Sequence, residues 1–178
     1  MNLFKIKIIS VISIFLLSFF THYGYDIFPN LITSFLFPVN ESIFEHMKMI
    51  FTSYIIYSFF EYVLIKKYSK TNNFSSSILF NILFNIIFFL IIYMPIYNIT
   101  GYNHFITLFT YFISIVITQI FSYIILNSSK NFSVLNKYSY LFIFIIFLIL
   151  IYLTYYPPKI SLFIDKSNNK IGINNYYV

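Results

Sequence analysis

The chain has 178 residues, 60% of them hydrophobic and 9% charged, with a mean hydropathy of +0.82. A soluble domain of this length would be about a quarter charged, so lipid must cover part of the apolar surface and a soluble reading is excluded. The formal charge of +6 is carried by lysines at the ends of apolar runs, which excludes nucleic acid as a partner, and the lack of cysteine excludes disulfides and thiolate metal sites.

The first predicted element runs over about 3–21. Lys5 and Lys7 precede the apolar run Ile8–Phe20, and no small-x-small cleavage site follows, so an uncleaved helix is expected over a signal peptide. In the loop after it, Leu31–Phe37 is an apolar stretch between Pro29 and Pro38, too short to span. It is expected to lie in the interface or dip back in, where protein or water satisfies its backbone. The second helix is predicted over 42–65, with Asn40 as its N-cap. The third and fourth are predicted over 76–97 and 103–126. The fifth, over 137–155, stops at Pro157-Pro158, which cannot continue a helix, and leaves a tail over 156–178. Tyr23, Tyr25, Tyr97, Tyr102, Tyr155 and Tyr156 fall at predicted helix ends, where an aromatic belt sits. The expected architecture is all-α and polytopic, a single integral membrane domain of about five transmembrane helices with the lipid bilayer as its main partner.

Lysines alternate between the connections. Lys5 and Lys7 lie at the N-terminus, Lys66, Lys67 and Lys70 after the second helix, and Lys130 and Lys137 before the fifth, while 22–42 and 98–102 carry none. The positive-inside rule then places the N-terminus in the cytoplasm and the tail outside, although Lys159, Lys166 and Lys170 in the tail argue the other way.

That topology gathers the rare ionisable groups on the outer side: His22, Asp26, Glu41, Glu45, His46, His104 and Asp165. Glu61 is left near the inner face, within reach of Lys66 and Lys67. On a helix, Glu41, Glu45 and Lys48 would share one face, with Ser42 and His46 widening the polar arc to about 160°. Such an arc must face protein or water. A structural reading makes it capping, dipole and ion-pair furniture. A site reading makes Glu41, Glu45 and His46 acid/base or catalytic groups, and His22, His46 and His104 ligands of a divalent metal such as zinc. A third makes it part of a polar-ligand or ion pathway. The spacing matches no metal motif, and the adjacent Glu45 and His46 point in diverging directions.

Phe37-Pro-Val-Asn-Glu-Ser-Ile-Phe-Glu-His-Met-Lys48, the early His22-Tyr23, and a tail with Pro157-Pro158, Leu162-Phe163 and Asp165 together resemble a family of small uncharacterised bacterial membrane proteins. Phe44 stands where that family's motif leads one to expect Trp, and Ser161 and Lys166 where it leads one to expect Pro. The resemblance implies a multi-pass plasma-membrane protein and supplies no reaction. Two functions follow as expectations. One is a metal-dependent or acid/base hydrolase acting on lipid or envelope substrates. The other is a non-enzymatic transporter subunit, assembly factor or regulatory factor. Five short-looped helices leave little room for two repeats around a midplane site, so transport would need a homo-oligomer or a membrane protein partner.

Overall fold

A segment crossing hydrocarbon must satisfy its own backbone, and a long apolar run does so as an α-helix. The computed structural model describes residues 2–69, 71–101, 103–173 and 175–176. Lys70 and Tyr102, counted above among the inner lysines and the interfacial tyrosines, lie outside the described residues. In chain order the helices are α1 (Leu3–His22), α2 (Gly24–Ile27), α3 (Leu31–Leu36), α4 (Ile43–Tyr68), α5 (Phe74–Thr100), α6 (His104–Asn127) and α7 (Ser133–Tyr155). Three short strands follow: β1 (Ile164–Asp165), β2 (Lys170–Ile171) and β3 (Asn175–Tyr176). Five helices, α1, α4, α5, α6 and α7, are long and apolar enough to cross a membrane, so the chain is an all-α polytopic membrane protein.

The residues gather in two compact units. The first comprises Met1–Leu16 and Tyr54–Tyr140. Its apolar packing includes Leu3, Ile6, Ile65 and Leu126. Asn73 holds the connection after α6, donating from Nδ2 to the carbonyls of Ile125 (3.2 Å) and Lys130 (2.8 Å). Lys7 is buried and bonds Glu61 at 2.6 Å. This corrects the expectation that Lys66 and Lys67 meet Glu61. They follow it by five and six residues, off its face of the helix, and lie over the rings of Tyr62 and Tyr68 instead.

The second unit comprises Leu17–Ser53 and Leu141–Val178. The stretch between Pro29 and Pro38 forms α3, capped by Asn30, whose Oδ1 accepts from Ile32 N (2.9 Å) and Thr33 N (3.1 Å). Two carbonyls of α3 are met by side chains from α4: Lys48 Nζ donates to Ser34 O at 2.9 Å, and Thr52 donates to Leu36 O. Gly24 opens α2 where a Cβ would fall 2.5 Å from the ring of Phe37, so the close approach requires glycine. The tail folds as an antiparallel sheet in the order β1-β2-β3, with Phe163 stacked on Phe44 at 4.3 Å.

Candidate metal centre

The site grows from the bend that precedes α4. Pro38 has no N–H to give, and the chain stays non-helical through Ser42. Ser42, rather than the expected Asn40, caps the helix: its Oγ accepts from Glu45 N at 3.3 Å. Asn40 braces the bend, accepting from Ser42 N (2.8 Å) and donating to Gly172 O in the tail (2.9 Å). Glu41 therefore stands outside the helix, and the expected helical arc joining it to Glu45 does not form.

Freed from the helix, Glu41 turns toward two imidazoles. His22, the last residue of α1, places Nε2 3.4 Å from Glu41 Oε1, and His46, in the first turns of α4, places Nε2 3.7 Å from Glu41 Oε2. The two rings lie 5.2 Å apart, and one ligand atom from each of the three residues falls within 4.8 Å of the others. His46 Nδ1 lies 2.8 Å from Ser42 O. A carbonyl can only accept, so that nitrogen carries a proton, and in the neutral ring Nε2 is the nitrogen left to ligate. Glu41 is fixed from behind, its N–H donating to Asp165 Oδ2 at 3.1 Å. Asp165 is buried, and its Oδ1 accepts from Ser167 N and Oγ. The side chains of His22 and His46 are 17% and 16% exposed and that of Glu41 45%, so the carboxylate marks the solvent side of the group.

Glu45 points the other way. It is buried against Lys48, whose Nζ lies 2.7 Å from Oε2. Val39 N donates to the same oxygen at 3.1 Å, and Thr154 Oγ1 donates to Oε1 at 2.8 Å. His104, the first residue of α6, is exposed, belongs to the other unit and is not a member of the group. Asp26 is exposed on α2. Of the five candidate site residues, the structure thus brings together His22, Glu41 and His46. It adds two supports, Ser42 from the Phe37–Lys48 segment and Asp165 from the tail.

Two imidazole nitrogens and a carboxylate oxygen form a donor set suited to zinc or to a non-haem iron, with positions left open for other ligands. By fold and site the chain is a polytopic membrane protein with a His/Glu group at the end of its first span. Residues 1–173 match the family described as "Family of unknown function (DUF6512)", and the chain belongs to that family. No curated protein and no solved structure matches it.

Proposed function

We propose that the protein is a membrane metalloprotein in which His22, Glu41 and His46 hold one divalent cation, zinc first among the candidates. We further propose that the N-terminus is cytoplasmic, so that this centre faces the outside of a bacterial plasma membrane and serves hydrolysis of lipid or envelope substrates. The convergence of three ligand atoms with a committed His46 tautomer carries the metal reading. The alternation of lysines carries the orientation. A bound zinc would supply a water of lowered pKa, about 7, and polarise a carbonyl or phosphoryl oxygen. His46 is oriented by Ser42 O, Glu41 is held by Asp165, and the exposed edge of Glu41 leaves an approach for substrate. The engagement of Glu45 by Lys48, Val39 and Thr154 supports a second reading: a non-enzymatic factor whose metal fastens α1 to the start of α4.

The first test strips the detergent-purified full chain of metal and offers it zinc. The wild type should take up about one zinc per chain, His22→Ala and His46→Ala should take up almost none, and Glu45→Gln should match the wild type. Equal uptake by all four would refute the centre. For orientation, a cysteine replacing Thr100 should react with an impermeant thiol reagent on intact cells while one replacing Ser69 stays protected; the reverse pattern would overturn the outward placement.

A further inference from the structure

The segment between α1 and α4 carries an apolar surface beside the His/Glu group. Residues 23–40 hold one charged side chain, Asp26. Tyr23, Ile27, Phe28, Leu31 and Ile32 are 49–68% exposed, although α2 and α3 are far too short to span. The surface begins at the centre itself: the Tyr23 ring packs edge-on against His22 at 4.7 Å.

Hydrogen bonds to α4 fix the depth of α3. A helix leaves its last four carbonyls without intrahelical partners. In α3 three of these are met: Thr33 O by Phe37 N, Ser34 O by Lys48 Nζ and Leu36 O by Thr52. Ser34 Oγ also lies 2.7 Å from Tyr155 OH at the end of α7. The Thr52 side chain is short, so Leu36 O lies beside α4 at the level of Thr52, about 13 Å along the axis from Ile43 at 1.5 Å per residue. With 26 residues α4 is about 39 Å long, against about 30 Å of hydrocarbon. A spanning α4 therefore leaves at most about 9 Å beyond the boundary at its N-terminal end, and tilt shortens that. Leu36 O thus lies within the hydrocarbon, deeper than His46 on the same helix. Irregular backbone is tolerated at such depth where protein meets its polar groups, as Lys48 and Thr52 do here.

We propose that residues 23–37 form a re-entrant element that opens the His/Glu centre sideways to the bilayer. The ligand of the centre is a phospholipid, its phosphate at the cation and an acyl chain along Leu31 and Ile32. This names a substrate class for the metal reading and rests on it. The chemistry selects lipid over a water-soluble envelope polymer. Ile27, Phe28, Leu31 and Ile32 present only hydrocarbon, against which a sugar or peptide would lose water and gain no hydrogen bond. A phospholipid carries an anionic phosphate within reach of its acyl chains, and so meets the cation and this surface together.

The test uses the full chain. It contains no tryptophan, so a single Ile32→Trp reports its own site alone. In phosphatidylethanolamine–phosphatidylglycerol vesicles brominated on their acyl chains it should lose at least about half its fluorescence, like Phe144→Trp on α7, a site 55% exposed. Iodide in the water should leave it bright. Quenching by iodide, or protection from both agents as a second copy or a protein partner would give, overturns the re-entrant element. Cobalt(II) then replaces zinc as a visible probe. In detergent micelles the spectrum of the cobalt-loaded chain should shift on titration with dioleoylphosphatidylglycerol and not with glycerol phosphate. The double change Leu31→Ser with Ile32→Ser should weaken the lipid response ~10-fold while cobalt uptake holds. Equal responses to lipid and glycerol phosphate, no response included, or a lipid response indifferent to the double change, overturns the lipid ligand. A chain that takes up no cobalt overturns the metal reading and the ligand with it, and the tryptophan quenching still decides the re-entrant element by itself.

Discussion

Glu45→Gln separates an anchoring carboxylate from a catalytic one. The carboxylate accepts three hydrogen bonds, from Lys48, Val39 N and Thr154, and both members of the ion pair are essentially inaccessible to solvent. Glutamine keeps the volume but not the charge. It has one accepting oxygen where three donors converge, and its NH2 would face the Lys48 ammonium. Removing one partner of a buried pair costs about 3–5 kcal/mol, since it leaves an uncompensated charge. For a chain of this length that corresponds to a melting-temperature drop of roughly 6–20 °C. Far-ultraviolet circular dichroism of the detergent-solubilised protein reads the melt, and zinc uptake well below the melting temperature reads the site. The expected pattern is a lower melting temperature with zinc uptake intact. The double change Glu45→Gln with Lys48→Met should recover much of the loss, because it removes the stranded charge. A Glu45→Gln variant that melts within ~2 °C of the wild type would refute the anchoring role.

Asp165→Ala removes the acceptor that holds the Glu41 N–H and should weaken zinc binding ~10–100-fold, the usual cost of losing a support behind a ligand, as measured by competition with a chelator. Gly172→Ala should detach the tail: its φ of +61° disfavours any side chain, and a Cβ would fall 2.5 Å from Thr154 O, so limited proteolysis should cut near residue 172 at protease levels that spare the wild type. Gly24→Ala drives a methyl into the ring of Phe37 and should destabilise by ~1–3 kcal/mol, read as a lower melting temperature.

The five spans were legible because length and hydropathy suffice to define them, and no tertiary contact has to be known. The end of α7 before Pro157 followed local chemistry that could be read, whereas Asn103, placed inside the fourth helix by sequence, caps it instead, its Oδ1 accepting from Ile106 N. The cap of α4 was misassigned because Asn40 and Ser42 are both good caps by type, and only the bend geometry chooses between them. That small displacement moved Glu41 from one face of a helix to the opposite side of a bend. Lys7 was taken for a flanking charge, yet Lys7, Ser10, Ser18 and Thr21 recur at helical spacing and are all buried, a signal available in the sequence. Asn81 and Asn85 carried the same kind of signal, obscured by the abundance of asparagine along the chain. The role of Asp165 was beyond reach, because it depends on how the tail packs against the bend and brings the Asp165 carboxylate to the Glu41 N–H.

Charge matching argues for Glu41 as the ligand among the five acids. Burying a carboxylate is costly unless it is paired and hydrogen-bonded. Glu45 and Glu61 each meet this demand with a buried lysine, and Asp165 meets it with N–H and O–H donors from Glu41 and Ser167. Asp26 is exposed and has no such demand. Glu41 is exposed too, and what sets it apart is that its carboxylate meets two imidazoles, one of which directs Nδ1 at Ser42 O. Three atoms able to ligate a single cation thus face one another, one from each of His22, Glu41 and His46, and a cation among them would meet the carboxylate and both rings at once. The same reasoning fixes the order of experiments: zinc uptake by the His46→Ala variant bears on function sooner than any assay of a presumed substrate.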